Sequence, residues 1–385
     1  MFTGPDGGDA VATPPAFSPV GPHPGGFFAD CNPGQNFPGT RPIAEHFNEL
    51  ILNLHALLTK AHVTPAKGDP TMLWQAILNL PIIKTAVTLN VSTSGSATPA
   101  NPWAGDPFNS VQAALAFLYP YWIVPPGSVT IQIAAGTYPS TTPIFVQHPF
   151  AYNVTLLGAG PGATILVFTD SEGIHCQEAS LGMVRNLTIR GGGTASSKPN
   201  GVYVHNGVIG LDTVTVEQFR GNGVWIDRST CNLLNTVTIQ DNGGNGLFVT
   251  AGSGIYGNGG TLVANRNAGD ANVNVAASSG VLSTVQTTGG LRGLWVNACG
   301  ALYVSALTVA AVTIGTDAVV VTAQSALLAQ PNPVANAWTV AAGQSFHADQ
   351  MGLIMGGIAL ATANRPNASP AINTVGNIQS YIQTT

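Results

Sequence analysis

The chain has 385 residues, of which 8% are charged and 45% hydrophobic, with 46 glycines and a net charge of −5. That much apolar content excludes a disordered chain, and an acidic balance with no basic run excludes a nucleic-acid partner. The longest apolar run, residues 351–363, is too short to cross a bilayer, so no membrane insertion is expected. Residues 1–42 form an extended Pro/Gly-rich arm, and because residues 1–24 lack an apolar h-region no signal peptide is expected. A helical region follows over residues 43–84. Pro42 opens a helix to about Lys60 on which Ile43, Phe47, Leu50, Leu54, Leu57 and Leu58 keep helical spacing. A second, shorter helix from about Pro70 to Leu80 puts Leu73, Ile77 and Leu80 on one face. Two such helices cannot build a core, so their apolar faces are expected against other subunits or the end of the next domain.

From residue 85 the pattern changes to alternation. Ser110 to Leu118 reads as a helix burying Val111, Ala114, Leu115 and Leu118, suited to cap the open end of a β-structure. A strand start then returns seven times: Gly173-Ile-His-Cys, Gly201-Val-Tyr-Val, Gly223-Val-Trp-Ile, Gly246-Leu-Phe-Val, Asn272-Val-Asn-Val, Gly293-Leu-Trp-Val and Ala318-Val-Val-Val. The intervals are 28, 22, 23, 26, 21 and 25 residues. Most units carry a second short strand halfway, such as Thr213-Val-Thr-Val and Thr236-Val-Thr-Ile. A period of this size with two-residue alternation and Gly/Asn turns selects a β-solenoid. The fold class is therefore all-β: a right-handed single-stranded parallel β-helix over residues 85–345. Val202, Val204, Val224, Ile226, Leu247, Val249, Leu294 and Val296 point inward. Asn222-Gly223 and Asn245-Gly246 are expected in turns where positive φ is tolerated. After Gln330, Pro331-Asn-Pro is expected to end the coils, leaving residues 346–385 as a cap or tail.

Two stretches resemble known families. Gly26-Phe-Phe-Ala-Asp-Cys-Asn-Pro, Gly39-Thr-Arg-Pro-Ile-Ala-Glu-His-Phe-Asn-Glu-Leu and Asp69-Pro-Thr-Met-Leu-Trp-Gln-Ala-Ile look like the N-terminal region of bacteriophage tail fibres, departing from it at Leu52 and Asn53. Thr93-Ser-Gly-Ser, the segment from Asp106 to Leu118, Val129-Thr-Ile-Gln-Ile-Ala-Ala-Gly-Thr-Tyr and Val154-Thr-Leu-Leu-Gly-Ala-Gly resemble the opening coils of pectate-lyase-like β-helices in phage tailspikes. These resemblances imply a homotrimeric structural protein of the virion, made in the cytoplasm of the bacterial host. The N-terminus would dock on other tail or baseplate proteins, with Phe27, Phe28, Phe47, Leu50, Leu54 and Trp74 as candidate contacts. The β-helix would attach to a host-surface glycan, lipopolysaccharide or capsule. A polysaccharide depolymerase and a purely structural tail part without a receptor are the alternatives.

On the outward side, the second residue after each repeated start is His175, Tyr203, Trp225, Phe248, Asn274 and Trp295, and the fourth is Gln177, His205, Asp227, Thr250, Ala276 and Asn297. An aromatic row thus runs beside a polar row. Tyr203, His205, Trp225, Asp227, Phe248 and Trp295 are candidates either for the trimer interface or for glycan binding, since amphipathic aromatics serve both. Hydrolysis needs two carboxylates at a defined separation. Glu217 and Asp241, on adjacent coils, are the only pair that suggests itself, and the chain is read as leaning away from an enzyme. Cys31, Cys176, Cys231 and Cys299 show no ligand spacing and read as buried free thiols, while His46, His55 and His62 do not share a face. The glycine-rich Gly158-Ala-Gly-Pro-Gly-Ala is followed by no helical pattern and reads as a turn. No metal and no cofactor are expected, and the sequons at Asn153 and Asn186 are read as ordinary strand residues.

Overall fold

The computed structural model describes residues 52–58, 63–64, 71–78, 81–193, 197–310, 318–329, 338–340, 346–348, 353–355 and 381–382. The chain divides into two compact units, Met1–Ile82 and Ile83–Thr385. The arm, the first part of the expected helix over residues 43–51, and with them Phe27, Phe28, Cys31, Phe47 and Leu50, lie outside the described residues.

In the first unit, residues 52–58 and Met72–Leu78 are helical. Leu58, Val63, Met72 and Ala76 form a small buried cluster with Leu57 at its edge. The second helix buries its Met72/Ala76 stripe, while Leu73, on the face expected to meet a partner, is 45% exposed and Trp74 62%. The Val63 amide donates to the Leu58 carbonyl at 2.9 Å, and Met72 and Ala76, at i, i+4 spacing, pack with these two residues.

The second unit is a parallel β-solenoid. One sheet of nine short strands runs in strict coil order from Ile144–Val146 through Ile174–Gln177, Val202–His205, Val224–Asp227, Leu247–Thr250, Val273–Ala276, Leu294–Asn297 and Val319–Val321 to Phe346–Ala348. A second sheet holds the long strands, among them Leu181–Gly192, Val208–Glu217, Thr230–Gln240, Gly254–Asn265, Ser279–Thr288 and Ala301–Ala310. Among the described residues the pairings along these coils are parallel; the short strands stay in register, as Val202↔Val224↔Leu247 illustrates, while several long strands shift register at their bends, as between Asp212 and Val214. The inward residues expected from the alternation, Val202, Val204, Val224, Ile226, Leu247, Val249, Leu294 and Val296, are all fully buried. Each such side chain contributes roughly 1.5–3 kcal/mol of transfer free energy, but only because the coils above and below cover it.

The short second strands expected halfway through each unit are the far halves of these long strands. Their near halves, such as Val208–Asp212 and Thr230–Leu234, were not legible as strands; they are set off from the far halves by register shifts, at Asp212/Val214 in one pairing and Asn232/Thr236 in the next. A single left-handed residue bends four of the long strands: Asn186 in Leu181–Gly192, Thr213 in Val208–Glu217, Asn235 in Thr230–Gln240 and Gly259 in Gly254–Asn265. Two further corners use the same device, Gln218, Asp241 and Arg266 after the long strands, and Glu178, Asn206, Arg228 and Ala277 after the short ones. The left-handed region costs a non-glycine residue roughly 1–2 kcal/mol. In return the corner amides keep pairing with the next coil, as from Arg266 to the Thr288 carbonyl at 2.8 Å and from Asp241 to that of Asn265 at 3.0 Å.

Asn222, Gly223, Asn245 and Gly246 do not occupy positive-φ turns, contrary to expectation. The asparagines form a ladder along the stack. Asn200 Oδ1 accepts from the Asn222 amide at 2.9 Å, Asn222 Oδ1 from the Asn245 amide at 2.9 Å, and Asn245 Oδ1 from the Ala271 amide at 2.9 Å. A second ladder joins Phe219, Asn242, Asn267 and Asn272. These side chains satisfy backbone donors that would otherwise be buried and unpaired. The repeated glycine is required by closeness. A Cβ on Gly223 would stand 2.3 Å from Ile239 Cγ2 and 2.8 Å from the Gly246 carbonyl.

The solenoid does not end at Pro331. Phe346–Ala348 pairs with Val319–Val321, Leu353–Met355 with Ala326–Leu328, and Tyr381–Ile382 with Leu353–Ile354, so both sheets continue past the expected break. At the other end the capping helix is Val111–Leu118, with Ser110 Oγ accepting from the Ala113 amide at 3.2 Å. It buries the four residues expected of it, Val111, Ala114, Leu115 and Leu118. The Gly158–Ala163 turn likewise lies between strands Val154–Leu157 and Thr164–Thr169, with Gly160 and Gly162 at positive φ.

Candidate functional site

The outer face of the nine-stranded sheet carries the aromatic row. Pairing sets Phe145, His175, Tyr203, Trp225 and Phe248 on successive coils. Their rings form one continuous row of contacts, edge-to-face between His175 and Tyr203 and tilted elsewhere, with centroid separations of 4.9, 5.1, 5.0 and 5.8 Å. All five are partly exposed. Such offset and tilted aromatic contacts add about 0.5–1.5 kcal/mol per pair beyond area burial. Asn274 follows in register and is buried, which interrupts the row; Trp295 resumes it and Val320 succeeds it. The Arg292 guanidinium lies 4.9 Å from the Trp295 ring, and the Trp295 indole N–H donates to Thr322 Oγ1 at 3.3 Å.

The polar row runs alongside. His205 Nδ1 and Asp227 Oδ2 are 2.7 Å apart, and Thr250 Oγ1 donates to Asp227 Oδ1 at 3.3 Å. The Trp225 indole N–H donates to Thr250 Oγ1 at 3.1 Å, tying the two rows together. Glu172 flanks the stack, paired with His175 Nδ1 and accepting from Asn200 Nδ2 at 3.2 Å. Burial, then the carboxylates of Asp227 and Glu172, push the Tyr203 phenol above its ordinary pKa, opposed by Arg228. Tyr203 therefore remains a hydroxyl donor across the neutral range.

Of the residues singled out from the sequence, the structure brings Tyr203, His205, Trp225, Asp227 and Phe248 together, and sets Trp295 beyond the Asn274 gap. Phe145 and Glu172 were missed. Phe145 has the same alternation as the other rungs, but Pro143 rather than glycine precedes its strand, so it lacks the start that marks the other repeats. Leu54 and Trp74 belong to the first unit, 37% and 62% exposed.

Glu217 and Asp241 are both engaged. Glu217 sits in register between Arg190 and Gln240, is buried, and accepts from Arg190 Nε at 2.7 Å and Gln240 Nε2 at 2.9 Å. Asp241 takes a bidentate contact from Arg266, 2.7 Å on each oxygen. Both carboxylates are thus engaged by guanidinium partners. A third acid, Asp212, was not anticipated: it is buried at the bend of a long strand and receives Arg185, Thr213 and Asn235. Among the described residues, no group of three or more His, Cys, Asp or Glu side chains comes together as a metal site would require.

No family model matches the chain, and no curated protein matches it. Among solved structures, a pectin methylesterase from carrot is 12% identical with a TM-score of 0.39, the match covering 77% of this chain and 88% of that one. Pectate lyase Pel9A is 15% identical with a TM-score of 0.37, covering 75% and 82%. The A-module of mannuronan C-5 epimerase AlgE4 from Azotobacter vinelandii is 15% identical with a TM-score of 0.30, covering 67% and 94%. At these scores the likeness carries no activity over to this chain, and the parallel solenoid rests on the strand pairing itself.

Proposed function

We propose that the protein is a phage tail fibre or short tailspike, a homotrimer that joins the virion through its N-terminal region and binds a host-surface glycan along the solenoid without cutting it. The glycan part is carried by one observation, the continuous row Phe145–His175–Tyr203–Trp225–Phe248 with the polar row His205–Asp227–Thr250 beside it. Aromatic faces stack on the C–H faces of sugar rings, and the adjacent hydroxyl, imidazole and carboxylate groups reach ring hydroxyls. Five stacked rungs spaced by the coil repeat suit a linear polymer better than a single small molecule. Binding rather than cleavage is supported by the engagement of Glu217 and Asp241 with guanidinium partners.

The virion part is supported by the resemblance of residues 25–80 to tail-fibre N-termini and by the exposure of Leu54, Leu73 and Trp74 in that unit. A second reading has the aromatic row buried between protomers of the trimer. It is favoured by Val320, an apolar residue at the row's register that is itself buried. The test is adsorption of the full-length protein to lipopolysaccharide and capsule from host cells, together with a variant lacking residues 1–84. Saturable binding by the full chain and absence of the variant from particles are expected. Absence of any glycan binding overturns the glycan part, and incorporation of the variant overturns the attachment part.

A further inference from the structure

At the capped end of the solenoid both rows run into a cavity of about 350 Å³ between the capping helix and the first short strand. Phe145, the first aromatic rung, forms one wall, and Tyr119, 65% exposed at the helix C-terminus, forms another. Gln147 projects at the polar-row position, two residues after Phe145 as Gln177 stands two after His175. Gln112, on the helix, accepts from the Phe145 amide through Oε1 at 2.9 Å, which fixes its head at the cavity wall. His148 closes the floor. Its Nδ1 accepts from the Phe150 amide at 3.0 Å, so Nε2 carries the proton and donates to the Leu118 and Tyr121 carbonyls at 2.9 Å each. The lining contains no Asp, Glu, Lys or Arg.

We infer that this cavity is an end subsite, seating the terminal neutral sugar residue of the glycan whose following residues lie along the aromatic row; the inference rests on the glycan reading of that row. Three observations converge. The volume lies at the small end of the range of small-molecule sites, roughly 300–1,000 Å³, which fits one residue rather than a chain. The walls pair an aromatic ring with amide donors and acceptors, the combination that reads a pyranose and its hydroxyls. The charge pattern disfavours an anionic terminus, because the cavity lining offers no Lys or Arg while Glu172 flanks the adjoining His175 rung. A larger cavity of about 540 Å³, on the Tyr138 and Phe168 side of the helix, has neither row leading into it.

The test screens the full-length protein on an array of neutral, uronic-acid-containing and sulfated oligosaccharides, then titrates the best binder by calorimetry. Tyr119→Ala, Gln147→Ala and Trp225→Ala are compared with the unmutated chain; Tyr119 and Gln147 are exposed, so their loss leaves the core untouched. The expected result is preference for a neutral oligosaccharide, an affinity loss of about tenfold for Tyr119→Ala and at least fivefold for Gln147→Ala, and competition by the free terminal monosaccharide. Affinities of Tyr119→Ala and Gln147→Ala within twofold of the unmutated chain, with Trp225→Ala weakened, overturn the subsite and leave the row standing. Preference for acidic or sulfated sugars overturns the neutral assignment. No binding on the array, or unchanged binding by Trp225→Ala, removes the glycan reading of the row and the subsite with it.

Discussion

The rings of Tyr203 and Trp225 lie 5.0 Å apart, inclined at 48°, on strands that pair residue for residue one coil apart. Parallel in-register stacking makes this contact inevitable once two consecutive repeats carry an aromatic at the same position. The backbone ladder holds each ring at a fixed height, so the surface presented to a partner is preorganised and little rotamer freedom remains to be lost on binding.

The closeness of the repeated glycines gives a stability prediction. A methyl group on Gly223 meets Ile239 Cγ2 at 2.3 Å, Asn242 Nδ2 at 2.7 Å and the Gly246 carbonyl at 2.8 Å. Overpacking of this kind costs typically about 1–3 kcal/mol. At Gly252, with φ of +79°, an added Cβ touches nothing within 4 Å and only backbone strain is incurred. Gly223→Ala is therefore expected to lower the urea unfolding midpoint more than Gly252→Ala does. Equal midpoints would mean that the coils are looser than the described packing.

Asp212 predicts an acid-sensitive contribution. Burial alone would raise its carboxyl pKa. Hydrogen bonds from Asn235 and Thr213 and the Arg185 guanidinium outweigh burial and hold it below the ordinary value. A carboxyl whose folded pKa lies below its unfolded value of about 3.9 stabilises the fold above that pH. The contribution is lost as pH falls through the folded value. Asp212→Asn should thus be less stable than the unmutated protein at neutral pH, with the gap closing as pH drops below about 4. Unfolding midpoints measured across that range check this, and a constant gap contradicts it.

The cysteines separate by accessibility. Burial pushes the Cys176 and Cys231 thiols up to about 12, whereas Cys299, expected to be buried with them, is exposed on a corner. Since the thiolate is the reactive form, an alkylating reagent at mildly alkaline pH should label Cys299 in the native protein and reach Cys176 and Cys231 only after unfolding. Peptide mapping by mass spectrometry reads the outcome; native labelling of Cys231 would contradict its position in the core.

Glu217 is expected to act in stability rather than in catalysis. Glu217→Gln weakens the contact to Arg190 and should cost about 1–3 kcal/mol, seen as a lower unfolding midpoint. The unmutated protein should release no reducing ends from host capsule or lipopolysaccharide. Release that is abolished by Glu217→Gln or Asp241→Asn would overturn the binding-without-cleavage reading.

The solenoid was legible in the sequence because Val202, Val224 and Leu247 recur beside a glycine and alternate with partly exposed neighbours, and a coil can bury its apolar side only on its own kind. The corners were not legible. Asn186, Gln218 and Arg228 share a left-handed backbone but no residue type, since the corner is imposed by stacking and not by local preference. Gly223 was the right residue for a different reason, contact rather than φ. The aromatic row was visible from His175 onward, but its start at Phe145 and the cavity beneath Tyr119 depend on how the capping helix seats, which no periodicity encodes. The coils beyond Pro331 were missed because the strands there are only three residues long and two of the three, Trp338–Val340 and Phe346–Ala348, follow no glycine.

The most direct measurement of the central claim is Trp225→Ala in the full-length protein, with the mass of the proposed trimer, thermal midpoint and adsorption to the proposed host glycan recorded on the same preparation. The glycan reading predicts an unchanged mass and a loss of adsorption of at least tenfold, as befits a central aromatic anchor. Unchanged adsorption, or dissociation of the trimer as the primary effect, would contradict it and assign the row to the subunit interface or to neither role.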